Sequence, residues 1–383
     1  MKGRRTARFV SETPIANFFS IQSARYQERH VQYKGVDLTV YYDEQHARNV
    51  DRMLAASAHA LDAYRSAFGP YQFHHSRIVE FPVYRTFAQS FGGTFPYSEG
   101  FGFIADLSGN DRVDYVGQVV AHELAHQWWG NQATPADMQG ASMLDEALAQ
   151  YSALMVMEKT VGRDQVRRYL QHELDTYLMM RGFETAQELP LARVENQAYI
   201  AYQKGELAMF RLKEEIGADR VNAALRRYLD RFRLRPAPYP RSLDLIVEFR
   251  KGASEAENRL ITDLFEKITL YDIRTKAATV RRLPNGRYET TLTIEAHKYH
   301  ADGKGKETEA PLAEPIGVGL FTEFPGWGPL AAKDVLALRR LAMRSGVQQA
   351  RLVTAAKPAY AGTDPYNVLI DRKSDDNIIA ITE

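Results

Sequence analysis

The sequence predicts an α+β protein: a mixed α/β opening, a helical middle and a C-terminal β-sandwich. Three observations carry this. Strand-like runs flank a helical-period segment near the start, the apolar period is 3.6 from about Val113 to Phe265, and beyond Leu270 the pattern returns to alternation broken by turn residues.

In the opening part, VDLTVYY (36–42) and RIVEFPVY (77–84) alternate or run apolar. The intervening HARNVDRMLAASAHALDAYRSAF repeats apolar residues at helical spacing. The middle contains DYVGQVVAHELAHQWW, LDEALAQYSALMVMEK, RDQVRRYLQHELDTYLM, YQKGELAMFRLKEEIG, RVNAALRRYLDRF and RSLDLIVEFRK, each suited to a helix. Gly162, Gly182 and Gly217 are expected just past helix ends, where a left-handed residue closes the last turn. In the last part, Pro284-Asn285-Gly286 between two alternating runs predicts a hairpin. IGVGLFTE, VLALRRLAM and ARLVTAA continue the strands, so a separate β-sandwich is expected over 271–383, with ADGKGKETEAP (301–311) as a polar loop.

At 383 residues the chain exceeds what one core usually supports. Its 45% hydrophobic and 25% charged residues are those of an ordinary globular protein. Lys and Arg number 49 against 48 Asp and Glu, so no net field draws the surface to nucleic acid. Cysteine is absent, which excludes disulfides, thiolate metal sites and a cysteine nucleophile. Any transition-metal site must use His and carboxylates. No run of about 18 apolar residues predicts a membrane span. The basic start, with Lys2, Arg4, Arg5 and Arg8, is interrupted by Glu12 and Pro14 before an apolar stretch develops, and reads as the interior of a longer chain rather than an export signal.

AHELAHQWWGN sets His122 and His126 four residues apart. At about 100° per residue both imidazoles leave one helix face a turn apart, the geometry that puts two nitrogens about 2 Å from one Zn²⁺. Glu123 leans over the same edge, within reach of a proton on water at that metal. The next helix begins near Leu144, and Asp145 or Glu146 can supply a third ligand. Two His and one carboxylate leave a coordination position open, as in catalytic rather than structural zinc sites. Both imidazoles must be neutral to bind, so activity is expected to fall below about pH 6.

On these residues the sequence resembles the aminopeptidase N family of zinc peptidases, a branch of the gluzincins. AHELAHQWWGN is nearly that family's helix, and MLDEALAQY is similar to its Leu-Asn-Glu-Gly segment, which favours Glu146 over Asp145 as the ligand. The resemblance implies a thermolysin-like catalytic domain over 31–270, with 1–30 ending an N-terminal β-domain and 271–383 forming the sandwich. TPIANFFSIQSARY is similar to the strand closing that N-terminal domain, and KPAYAGTDPYNVLIDR to the end of the family's sandwich.

The resemblance also assigns roles. FPYSEGFGFI stands in place of the family's Gly-Ala-Met-Glu-Asn strand, so Glu99, with Gly102 beside it, is expected to bind the substrate's α-amine from a buried position facing the metal. AYIAYQKGELAMFRL is similar to the Tyr-x-Lys-Gly segment, making Tyr202 the donor to the oxyanion, with Tyr199 a competitor one turn earlier; Lys204 and Glu206 read as surface residues. The family's activity is aminopeptidase. The spacing from His126 to Glu146 is one residue longer than the family's and equals that of thermolysin-like endopeptidases, which remains an alternative. The wording of several segments looks most like bacterial proteins in which such a peptidase is fused behind an ABC-type permease. A soluble fragment of an inner-membrane-anchored parent, its membrane side and oligomeric state open, or a peptide-binding sensor domain of a transporter, are further expectations.

Overall fold

In the computed structural model, residues 6–109, 113–326 and 330–382 are described. Lys2, Arg4 and Arg5 lie outside them. The mixed part opens with β1 (Gln27–Tyr33) and β2 (Val36–Tyr42), then α1 (Val50–Phe68), β3 (His75–Phe81) and β4 (Thr94–Ser98). They form one sheet in the order β1-β2-β3-β4, antiparallel at β1/β2 and parallel thereafter. The β1–β2 turn is two residues, Lys34 and Gly35, both at positive φ, the backbone such a tight hairpin requires. β1 escapes sequence reading because it is an exposed edge: QERHVQY has one aliphatic residue, Val31, and that is itself exposed. Residues 13–26, expected to include a strand, form none.

Helices then dominate: α2 (Tyr115–Ala125), α3 (Leu148–Val161), α4 (Arg163–Phe183), α5 (Gly205–Ile216), α6 (Ala218–Phe232), α7 (Ser242–Arg250) and α8 (Glu255–Ile261). One continuous apolar core joins them to α1 and the sheet. Asp114 caps α2 by accepting from the Gly117 N–H at 2.9 Å. The far end of α2 is anchored by Trp128 and Trp129, both fully buried edge-on against Tyr64 and Phe68 of α1, with centroids 5.4 and 4.9 Å apart. Gly162 and Gly217 follow α3 and α5 at positive φ as expected. Gly182 does not: α4 continues through it to Phe183.

The C-terminal part contains β5 (Ile268–Arg282), β6 (Tyr288–Ala301), β7 (Glu307–Ala310), β8 (Pro315–Phe321), β9 (Val335–Ala342), β10 (Gly346–Thr354), β11 (Tyr360–Thr363) and β12 (Ile378–Ala380). The hairpin at Pro284-Asn285-Gly286 forms, with Gly286 at φ +81. The loop expected over 301–311 is shorter, since Glu307–Ala310 pairs with β6 as β7. Two four-stranded sheets, one β10-β6-β5 with β7 on β6 and one β12-β11-β8-β9, enclose a second core including Ile273, Leu292, Ile294, Val318, Leu320 and Ala361. The architecture is therefore α+β with the expected sandwich. Arg167 on α4 ties the parts together, donating to the carbonyls of Pro365 at 2.5 Å and Gly326 at 2.8 Å. Among the described residues no helix is long and apolar enough to cross a membrane.

Candidate metal centre

His122, Glu123 and His126 occupy the last turn of α2, all at least nine-tenths buried. His122 Nδ1 lies 2.8 Å from Gln150 Oε1; His126 Nδ1 lies 2.7 Å from Asp145 Oδ1 and 3.2 Å from the Trp129 carbonyl. These partners only accept, so each Nδ1 carries the hydrogen and each Nε2 presents a lone pair. The two Nε2 atoms then face each other at 3.0 Å, and Glu146 Oε2 lies 3.3 and 3.5 Å from them. Three acceptors with no hydrogen between them repel, and either a proton on one ring or a cation among them relieves this. Glu146 Oε2 has no conventional hydrogen-bond donor. A triangle of these sides has a point about 2 Å from every corner, the length of Zn–N and Zn–O bonds, so the donor set fits Zn²⁺. Asp145, the competing carboxylate, sits behind His126 instead.

Burial pushes the Glu123 carboxyl up; His122 and His126 oppose this, and Glu146 and Asp145 add to it. Its Oε2 has no partner. Burial alone would depress His126, but Asp145 and Glu146 outweigh it and raise the imidazole well above its ordinary value while no metal competes for the ring. Glu146 moves the other way, below the usual carboxylate range: burial opposes this, and the two imidazoles prevail.

Tyr202 stacks on His122, with centroids 5.8 Å apart and planes 21° from parallel. Burial raises its pKa, and the charge of the nearby Glu146 carboxylate adds to this. Tyr199 instead stacks on Tyr177 at 5.9 Å. Lys204 and Glu206 are not surface residues. Both are buried: Lys204 ends the turn that leads into α5, and Glu206 lies on α5, which is covered on nearly every side. Lys204 lies 3.7 Å from Glu188, and burial lowers its pKa to about 8 despite that partner.

Glu146 and Tyr202 lie on π-helical turns, Met143–Ala147 and Ile200–Lys204, and Glu99 on a third, Glu99–Phe103, where a strand was expected. A π-turn holds one residue more than an α-turn, which gives the longer His126–Glu146 spacing a place to be absorbed. The first two turns touch: a Cβ on Gly205 would collide with the Cβ of Ala147.

Glu99 is partly exposed rather than buried. Its Oε1 accepts from the Val83 N–H at 3.0 Å, and its Oε2 lies 3.8 Å from His46 Nδ1. His46 also pairs with the buried Glu80, whose Oε2 accepts from the Asp43 N–H at 2.5 Å. The Glu80 bond raises the His46 pKa against the cost of burial. Gly102 is buried and donates no side chain; a Cβ there would lie 2.8 Å from the Tyr97 ring, and its carbonyl accepts from Asn49 Nδ2 at 2.8 Å. Burial raises the Tyr97 pKa, and the Glu123 charge adds to this. His46, Glu80, Gln118, Gln150 and Tyr169 carry no sequence signal of this grouping, since they come from elements far apart in the chain.

The peptidase family M1 domain matches residues 52–274. Endoplasmic reticulum aminopeptidase 2 of Homo sapiens is 26% identical over 213 residues, covering 53% of this chain and 22% of the human protein. Alanine/arginine aminopeptidase of Saccharomyces cerevisiae is 24% identical over 217 residues, 55% of this chain and 24% of the yeast protein. The matches thus span about a quarter of these relatives' length. In fold, the crystal structure of Legionella pneumophila aminopeptidase A in complex with aspartic acid superposes with a TM-score of 0.56 at 17% identity, over 88% of this chain and 37% of the other.

Proposed function

The chain belongs to peptidase family M1, and from that premise we propose that it is a zinc peptidase releasing residues from the amino terminus of peptides. The observation that carries this is the convergence of two imidazole lone pairs and an orphaned carboxylate oxygen at separations suited to one small cation. His122, His126 and Glu146 would hold Zn²⁺, which when bound would polarise the scissile carbonyl and acidify water.

Glu123, buried with one free oxygen and a raised pKa, takes the proton from water and delivers it to the leaving amine. Tyr202, raised in pKa and so reliably protonated, donates its hydroxyl to the oxyanion. Glu99 pairs with the substrate's ammonium; its Val83 and His46 contacts hold the carboxylate on the side of β4. That the similar human and yeast proteins are aminopeptidases supports the class. The domain division near residue 270, and a membrane-anchored permease parent, extend the same reading.

The test is one zinc-loaded preparation assayed on aminoacyl substrates and on internally quenched peptides with blocked ends. Cleavage of the first and not the second is expected. Cleavage of the blocked peptides alone would make it an endopeptidase, the alternative kept open by the His126–Glu146 spacing. Tight binding without cleavage of either would make it a peptide sensor.

A further inference from the structure

Behind His122 lies a closed ring of buried polar side chains from four helices. Gln118 on α2 donates through Nε2 to Gln150 Oε1 at 3.0 Å and to the Tyr169 hydroxyl at 3.2 Å. Tyr169 on α4 donates to Glu206 Oε2 at 3.0 Å, and Gln150 Nε2 on α3 donates to the same oxygen at 3.4 Å. Glu206, on α5, is completely buried, and its Oε1 has no partner. Among the described residues no cation is paired with it. A fully buried carboxyl without a counter-charge is costly, so its position calls for an explanation.

The hydrogen directions supply one. A glutamine amide has an accepting end and a donating end, and His122 needs the accepting end, because only then does Nδ1 carry the hydrogen and Nε2 keep its lone pair for a metal. Gln118 alone cannot fix this, since its own amide could turn over together with that of Gln150. Glu206 can. An oxygen that already accepts from Tyr169 demands a donor from Gln150, which leaves only the amide oxygen for His122. The demand holds in both protonation states: burial pushes the Glu206 carboxyl well up, and a proton on it would sit on the partnerless Oε1, leaving Oε2 accepting.

We propose that Glu206 is a positioning residue that sets the tautomer of His122 by fixing which end of the Gln150 amide faces the imidazole. The inference rests on the reading of His122 as a metal ligand. With Glu206 replaced by an apolar residue, Gln150 is free to turn its NH₂ toward Nδ1. The ring hydrogen then moves to Nε2, where the metal should be.

The experiment measures zinc affinity by chelator competition and the visible spectrum of the Co²⁺-substituted protein, with thermal unfolding of each metal-free variant as the folding control. Glu206→Leu is expected to weaken zinc binding about 10–100-fold, the scale seen when outer partners of ligating histidines are lost, and to alter the Co²⁺ spectrum. Glu206→Gln, which keeps an accepting oxygen, is expected to bind as the parent does. The decisive variant is Gln150→Glu placed on Glu206→Leu: a carboxylate accepts at either oxygen, so affinity should return although Glu206 is still missing. Should Glu206→Leu not fold, Glu206→Met is carried through the same comparison. Unchanged zinc affinity in the folded apolar variant overturns the proposal. So does failure of Gln150→Glu to restore it, which would assign Glu206 to packing. If His122→Ala itself binds zinc as well as the parent, the metal-ligand reading has failed, a result the Glu206 series cannot mimic.

Discussion

Asp145 Oδ1 lies 2.7 Å from His126 Nδ1, on the ring edge opposite the Nε2 that meets Glu146. Two adjacent carboxylates thus grip one imidazole from its two ends. On the proposed reading, Asp145 orients the ring and Glu146 shares the metal it would hold. Asp145→Ala is expected to lower zinc affinity about 10–100-fold, while Asp145→Asn, which retains an acceptor, should lose much less. Glu146→Ala should lose more than either. Gly130→Ala should resemble Asp145→Ala, because a Cβ there would lie 2.7 Å from Asp145 Oδ1 on a backbone at φ +100. Chelator competition on the four variants ranks them, and equal affinities would refute the division of labour.

Glu123 stands outside the group of His122, His126 and Glu146 that would hold the metal. Glu123→Gln is expected to keep stoichiometric zinc and lose about 10²–10⁴ in kcat, the usual contribution of a general base. Metal analysis beside turnover checks it; a fully active variant would remove the assignment.

Tyr202→Phe preserves the stack on His122 and deletes the hydroxyl. Loss of one oxyanion donor costs about 10²–10³ in kcat, with KM little changed if the bond forms only in the transition state. A rise in KM at constant kcat would instead give Tyr202 a binding role.

Glu99→Gln removes the charge offered to an N-terminal ammonium. KM for free-amine substrates should rise about tenfold or more, on the scale of a charge-assisted hydrogen bond. Discrimination against N-acetylated substrates should fall with it. An unaltered preference for the free amine would shift the anchor to another residue.

Asp371 in the sandwich is buried, accepts from Asn377 Nδ2 at 2.9 Å, and has its pKa raised by burial from 3.8 to about 7. A carboxyl raised on folding adds stability below its unfolded value and loses it as pH climbs through the folded one. The window is therefore about pH 4 to 7. Asp371→Asn should gain on the parent across that window, by up to a few kcal/mol at pH 8 at roughly 1.4 kcal/mol per pKa unit. Urea unfolding of both proteins at pH 4.5 and 8 measures the difference; a constant gap contradicts the assignment.

Periodicity and turn chemistry made the helical middle and the 284–286 hairpin legible, because each encodes its burial locally. Two imidazoles four residues apart encode a shared helix face in the same way, and the structure brings them together with Glu146. Surface reading of Lys204 and Glu206 failed for a physical reason. Charge predicts exposure only while some face of the helix reaches solvent, and α5 has almost none to offer. Edge strand β1 failed in the opposite sense: backbone pairing to one neighbour holds it, and that requires no apolar side chains. Asp145 illustrates a third limit. The residues alone present it and Glu146 as rivals, the family resemblance favours Glu146, and side-chain direction on the π-turn shows Glu146 Oε2 between the two Nε2 atoms and Asp145 at His126 Nδ1.

The contact between Gly205 and Ala147 makes two features of the proposed site answer to one spacing. Ala147 follows Glu146 directly, and Gly205 closes the turn that carries Tyr202, so the two segments can approach this far only while one of them lacks a methyl. A single added carbon at Gly205 should therefore disturb metal retention and oxyanion stabilisation together. The two losses would be inseparable by mutation there, and evolution could retune one only by moving the other.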